Sequence, residues 1–447
     1  MKIIIIGTGE VGYHLAKLLS RENHDLTLVE IEEEKCARAM ESLDANVIQG
    51  SGTDLKIMES VCANEPDMLI AVTLVDEVNI VSCMIAHRLG VKMKIARLRN
   101  SDYSRKESVL SPMQLGINHV IHPEMTASNE IVQLIKRSSA NEIWEFGDGK
   151  VQLIGFRLPN HAPVLGKKLY QIAAEITEMD FRAVAIVRDG ETIIPGGNDE
   201  FLVNDELYVI AVKKSIGRLL ELVGRKDEKL NAVTILGGGK IGRTVAAMLR
   251  DDCLIKLIES DEKKAEKIAS DLPNTLVCEG DGMDMDFMAV EGFADADGFI
   301  AVTADDEDNI MASLLAKRFG VKKIITHVSN SSYSSLVHQL GLDSTVSKQM
   351  TTVNAIMQFV RKDDVLAITE FDFMDLKAVE MIPYPNSHIT KHCLADVKFP
   401  KTAVVGAVFR GDEVIIPVGT TRIQTTDKVL VFSEIDHVNK VEKLFLK

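Results

Sequence analysis

The run Ile3-Ile4-Ile5-Ile6-Gly7-Thr8-Gly9-Glu10-Val11-Gly12 decides the fold, because four apolar β-branched residues lead straight into a Gly-x-Gly-x-x-Gly turn. A continuous isoleucine run suits a strand buried on both faces, as in a parallel sheet. The first glycine permits a tight turn, the second lets backbone approach a pyrophosphate, and the third lets helix and strand pack closely. A helix that starts there aims its unpaired amides and the positive end of its dipole at the phosphates. The pattern recurs: Ala232-Val233-Thr234-Ile235-Leu236 runs into Gly237-Gly238-Gly239-Lys240-Ile241-Gly242. A strand before and a helix after each turn is the context this spacing requires.

The next strand ends in an acid in both copies. Glu30 closes Leu26-Thr27-Leu28-Val29, 18 residues past Gly12, and Glu259 closes Leu254-Ile255-Lys256-Leu257-Ile258, 17 past Gly242. Both are close to the separation of about 20 expected for an acid that accepts from ribose hydroxyls. Such a carboxylate repels a 2′-phosphate, which favours NAD or an unmodified adenosine over NADP.

Further out, the two halves keep matching. Val47 to Asp54 answers Leu276 to Asp284 with one inserted residue, and Asp67 to Thr73 answers Asp297 to Thr303. Acidic helix starts follow at Asp76-Glu77-Val78-Asn79 and Asp306-Glu307-Asp308-Asn309. Repetition of this length is duplication rather than chance. The expected class is α/β: two tandem Rossmann-like doubly wound parallel sheets, each followed by a small α+β domain. The expected domains are residues 1–124, a connector helix over 125–140, a small domain over 141–224, a second nucleotide domain over 230–349, a connector over 350–366 and a small domain over 367–447. The first connector reads as a helix from Thr126 to Arg137, and the charged stretch Gly224 to Lys229 as the joint between halves. The small domains carry hairpin signals at Asp189-Gly190 and Gly411, and a strand pattern from Phe371 to Ile382.

With 447 residues and 46% hydrophobic side chains, the chain can fill several cores. A net charge of −15 argues against nucleic acid and anionic lipid as partners. Apolar stretches fall short of the roughly 18 residues of a membrane span, so a membrane connection is expected through a partner protein. Six cysteines without a CxxC pair read as reduced apolar filler.

No metal site is expected. The acidic run Asp305 to Asp308 reads better as a capped helix N-terminus than as a cation site. His388, His392 and Cys393 lack a partner pair in sequence. Tyr13 and Lys17 mimic a dehydrogenase pair but lie on the helix after the glycines, facing packing or solvent. Asp54 and Asp284 read as loop-ordering carboxylates, and Met283, Met285 and Met288 as core filling.

The order of glycine turn, strand-end Glu, Gly-x-Gly-Thr-Asp or its counterpart, Ala-Val-Thr with Asp-Glu-x-Asn, and a hairpin domain resembles the regulator of potassium conductance (RCK, or KTN) domain with its TrkA-C companion. The resemblance spans essentially the whole chain. It implies no enzyme but a cytoplasmic regulatory subunit, peripheral on the membrane's inner face, that gates or activates a Trk-type potassium-translocating membrane subunit. It further implies a homo-oligomeric ring, expected as a tetramer, that binds NAD or NADH, with ATP and ADP as further candidates. The positions that carry over are Gly7, Thr8, Gly9, Glu10, Val11, Gly12, Glu30, Thr53, Asp54, Thr73 and Arg97. In the second half they are Gly237, Gly238, Gly239, Lys240, Ile241, Gly242, Glu259, Asp281, Thr303 and His327. Ser51 departs from the Asp expected after the third strand, whereas Asp281 fits. Arg97 can clamp phosphate at any pH, whereas the imidazole of His327 is charged only below about pH 6.5. Glu10 and Lys240 oppose each other in charge at one loop position, which leaves two readings open: a second site that tolerates extra phosphate better, or a solvated side chain with little effect. The competing readings are an NAD-dependent oxidoreductase with the small modules as substrate domains, and a stand-alone nucleotide-binding scaffold. Catalysis would need a concentration of titratable groups that those modules lack.

Overall fold

The fold is that of a computed structural model, which describes residues 1–446 apart from 22–23, 106–107, 176–179, 226–227, 343, 361–366 and 372–373. The isoleucine run forms the central strand Lys2–Ile6 of a six-stranded parallel sheet. Its other strands in chain order are Asp25–Glu30, Asn46–Gln49, Met68–Ala71, Met93–Arg97 and His119–Ile121, arranged 3-2-1-4-5-6. The second half repeats this order with Ala232–Leu236, Leu254–Glu259, Thr275–Glu279, Gly298–Ala301, Lys323–His327 and Ser344–Val346. Both are doubly wound α/β sheets whose strand order reverses beside the glycine turn, and a crevice at the strands' carboxyl ends results.

Each small domain is a five-stranded antiparallel sheet in the order 4-3-5-2-1. The first runs through Glu142–Phe146, Val151–Arg157, Phe181–Arg188, Glu191–Ile193 and Glu206–Val212, the second through Ala367–Glu370, Leu376–Met381, Ala403–Arg410, Glu413–Ile415 and Lys428–Glu434. The strand expected from Phe371 is shorter, because the Leu376 amide turns back onto the Met374 carbonyl at 2.7 Å. Residues 372–373 of that stretch lie outside the described residues, as do 226–227 of the expected joint and 361–366 of the second connector. The strands Glu142–Phe146 and Ala367–Glu370 were not expected from the sequence.

The two connectors are Pro123–Lys136 and Lys348–Val360. The first starts three residues earlier than its apolar period implies, because Pro123 sits in the first turn, where a missing N–H costs nothing. Their packing was not expected: each connector crosses to the opposite half. Ala127, Ile131, Val132, Leu134 and Ile135 share a core with Val233, Ile235, Val245, Leu249 and Ile300 of the second sheet and its helices. In return, Val353, Ile356, Met357 and Val360 pack on Ile3, Ile5, Leu15, Leu19 and Ile70 of the first. Polar ties reinforce the exchange: Lys136 pairs with Asp252 at 2.8 Å, and the Ser344 hydroxyl donates to the Asn141 carbonyl at 2.8 Å. The small sheets also meet, with Phe146, Leu153, Val184 and Ile210 in one core with Leu376, Phe409, Leu430 and Phe432. The chain is therefore an intramolecular pseudo-dimer.

Ile131→Ala should cost about 2–5 kcal/mol in denaturant unfolding, as large-to-small core changes do. By hydrogen–deuterium exchange, the loosened amides should lie in the second sheet, around Ala232–Leu236. Loosening confined to Lys2–Ile6 and Asp25–Glu30 would contradict the exchange.

Candidate nucleotide clefts

The glycine turns are built by contact, not only by spacing. Gly7 and Gly237 hold φ of +93° and +107°, which disfavours other residues. A Cβ on Gly12 would come 1.9 Å from the Gly7 carbonyl oxygen, and one on Gly242 2.0 Å from that of Gly237. By contrast, nothing lies within 4 Å of a Cβ on Gly9 or Gly239, so the backbone there faces open space. Four of the nearby helices carry a capping aspartate: Asp54, Asp261, Asp284 and Asp305 each accept from backbone amides one turn on. The helix from Lys240, preceded by Gly239, has no capping side chain. Its first amides remain available for an anion.

Glu30 and Glu259 stand beside the turns. Glu30 accepts from the Thr8 amide at 2.6 Å, the Thr8 hydroxyl at 3.0 Å, and the Ile31 and Glu32 amides at 2.8 and 3.1 Å. Burial pushes its carboxyl up, but those donors outweigh burial and hold it below the usual carboxylate range. Glu259 accepts from the Asp261 amide at 3.1 Å.

The far wall is organised by two residues that sequence reading passed over as part of an acidic helix start. Fully buried Asn79 accepts from the Thr73 amide and hydroxyl at 2.9 and 2.8 Å and donates to the Thr73 and Arg97 carbonyls at 3.0 and 2.8 Å. Asn309 does the same for Thr303 and His327, at 2.8, 2.8, 3.3 and 3.1 Å. Asp76 accepts from the Arg99 and Asn100 amides, and Asp306 from those of Ser329 and Asn330. Recurrence of Asp and Asn at the same spacing in both halves was the available signal.

Other expected positions have local tasks. Asp54 caps its helix, the Thr53 and Ser51 hydroxyls meet at 2.8 Å, and Asp281 accepts from the Met283 amide at 2.8 Å. Ser51 and Asp281 thus make one turn with different acceptors: Ser51 also accepts from an amide two residues on, at 3.2 Å. Val11 and Ile241 are buried against their sheets. Glu10 lies 3.8 Å from Arg38, in the open. Lys240 instead reaches across and donates to the Arg99 carbonyl of the first half.

That bridge belongs to a cationic cluster where the connector N-termini meet the two sheets. Glu124 lies 3.8 Å from Arg99 and 3.9 Å from Lys348. Buried Arg97 donates to the Thr73 carbonyl at 3.2 Å, and its Nε has no partner among the described residues. Burial lowers the Lys348 ammonium; Glu124 opposes this, and Arg97, Arg99 and Lys240 add to it. His327 is 5% exposed, with neither ring nitrogen bonded among the described residues. Burial pushes it down to about 4, with Lys348 adding and Asp306 opposing, so it is neutral at cellular pH. Among the described residues, no three His, Cys, Asp or Glu side chains are grouped to hold a metal.

The TrkA-N domain model matches residues 3–123 and 233–348, and the TrkA-C model 153–224 and 378–446. A Haemophilus influenzae protein named Trk system potassium uptake protein TrkA is 32% identical over all of this chain and 98% of its own. A Methanosarcina mazei protein named TrkA homolog 2 is 35% identical over the full length of both. Among solved structures, the GsuK channel superposes with a TM-score of 0.61 at 18% identity, covering 99% of this chain and 78% of its own. The GsuK RCK domain gives 0.59 at 18%, covering 99% and 94%. These two likenesses are of fold.

His327 releases its proton on folding, so the wild type should lose stability as pH falls below the unfolded value of about 6.5. Relative to His327→Gln, that loss should reach roughly 2 kcal/mol by pH 5 in urea unfolding. Parallel stability profiles for the two proteins would contradict the buried neutral imidazole.

Proposed function

Because the chain belongs to the TrkA family, built of TrkA-N and TrkA-C domains, we propose that it regulates a potassium uptake system by binding NAD or NADH, with ATP and ADP as competitors. One observation carries the reading. Each half offers a glycine turn and a strand-end carboxylate, and exchanged connectors together with the Lys240 bridge join the two clefts. Gly7, Thr8, Gly9, Glu10, Val11 and Gly12, with their counterparts 237–242, form the pyrophosphate loops. Glu30 and Glu259 face the ribose, Thr73 and Thr303 the far wall, and Arg97 and His327 its end.

The named polar side chains around the clefts are largely committed to backbone groups, which suits holding a ligand rather than moving a hydride. A nucleotide that fits one arrangement of the two sheets better than another shifts the population toward it. Moved connectors carry that shift to the small domains and to the partner: a potassium-translocating membrane subunit of the Trk type, beneath which copies of this chain assemble in a ring. No helix among the described residues is long and apolar enough to cross a membrane. On this reading the chain works on the cytoplasmic face, held there by its partner.

Gly9→Asp and Gly239→Asp test the proposal, because both side chains enter open space and leave the fold intact while filling the phosphate position. Each should cut NADH affinity at its own cleft at least tenfold. Potassium uptake in cells lacking this chain should be restored by wild type and not by the double variant. Normal uptake without the protein, or catalytic oxidation of NADH with a metabolite by purified protein, would refute it.

A further inference from the structure

We propose that the two clefts read the nucleotide ribose unequally, and that Thr8 sets the difference by occupying the acceptor that its counterpart Gly238 leaves open. The inference rests on the nucleotide-binding reading of both clefts. A carboxylate offers about four lone-pair sites. The chain's own donors fill all four on Glu30: the Ile31 and Glu32 amides on Oε1, and the Thr8 amide and hydroxyl on Oε2. Thr8 is 3% exposed, so its hydroxyl is enclosed with its acceptor. A ribose hydroxyl can reach Glu30 only by displacing one of these donors, and the displaced donor is then left unpaired.

Glu259 is held differently. Its Oε1 takes the Asp261 amide at 3.1 Å and the Ser260 hydroxyl at 3.5 Å, the limit of a hydrogen bond. Its Oε2 accepts no hydrogen bond among the described residues, and the Lys264 ammonium, on a largely exposed side chain, stands 4.0 Å away. The second half has no room for Thr8 as it stands: a Cβ on Gly238 would come 2.4 Å from Ile268 Cδ1 and 2.9 Å from Glu259 Oε2, so both side chains would have to move. The second cleft therefore takes adenosine ribose directly on an open carboxylate and fills first. The first holds the same ligand through phosphate and base, with little from the ribose.

The test is calorimetry of the full chain with ADP and 2′,3′-dideoxy-ADP. Gly9→Asp leaves only the second cleft open and Gly239→Asp only the first, with thermal unfolding to confirm that each is folded. Hydrogen bonds to a charged group are worth about ten- to a hundredfold in affinity. Losing the ribose hydroxyls should therefore cost about that much in Gly9→Asp and less than about threefold in Gly239→Asp. Adding Thr8→Gly to Gly239→Asp should raise ADP affinity and bring in the dideoxy penalty, and Thr8→Val, which removes only the hydroxyl, should do so in part. Equal penalties at the two clefts, or a first cleft indifferent to Thr8→Gly, would overturn the inference. Failure of both single-cleft chains to bind ADP would overturn the nucleotide reading itself, and this inference with it.

Discussion

Each nucleotide sheet is finished by a helix from the opposite half, and the rest of the molecule depends on that exchange. Four large apolar side chains per connector leave water in the foreign core. At about 1.5–3 kcal/mol for each buried side chain, one helix contributes on the order of 10 kcal/mol, comparable with the whole stability of an ordinary domain. Neither half is complete alone. A change in one sheet is therefore passed to the helix that covers it, and that helix begins at the strand end of the other cleft.

The duplicated halves differ where a ligand would sit and agree where the scaffold is held. Asn79 and Asn309, Asp76 and Asp306, and Asp54 and Asp284 make the same hydrogen bonds in both copies. In the small domains Arg188 grips Asp205, and Arg410 grips Asp427, each through two contacts of 2.8 Å. Such forked pairs with a buried carboxylate are hard to replace piecemeal. The cleft positions have diverged: Thr8 against Gly238, Glu10 against Lys240, Arg97 against His327. One scaffold carries two differently tuned sites.

Much of this was legible in the amino-acid sequence because it is local. Apolar runs, glycine spacing and strand-end acids report a strand, a turn and a helix within about thirty residues, and the duplication confirmed each reading. The role of the Asp305 to Asp308 run as a helix cap followed from the same local rules, whereas Asp54 and Asp284, read as loop-ordering carboxylates, also turn out to cap helices. Connector exchange was not legible, because an apolar stripe such as Ala127, Ile131 and Ile135 shows that a helix is covered, not by what. Asn79 was missed for a related reason: three of its four hydrogen bonds turn back to Thr73 and the fourth reaches a strand end 18 residues away, which no periodicity records. The neutrality of His327 depends on burial and on Lys348, residues apart in sequence and adjacent only after folding.

Hydrogen–deuterium exchange on the Gly9→Asp chain, with and without NADH, tests most directly whether the clefts act as one device. The NADH concentration is set to fill the second cleft and stay below the weakened affinity of the first. The account predicts altered protection beyond the second sheet, in the first half's segment around Arg97 to Asn100 and in the connector Pro123–Lys136. Protection confined to residues 232–348, with the first half unchanged, would contradict it.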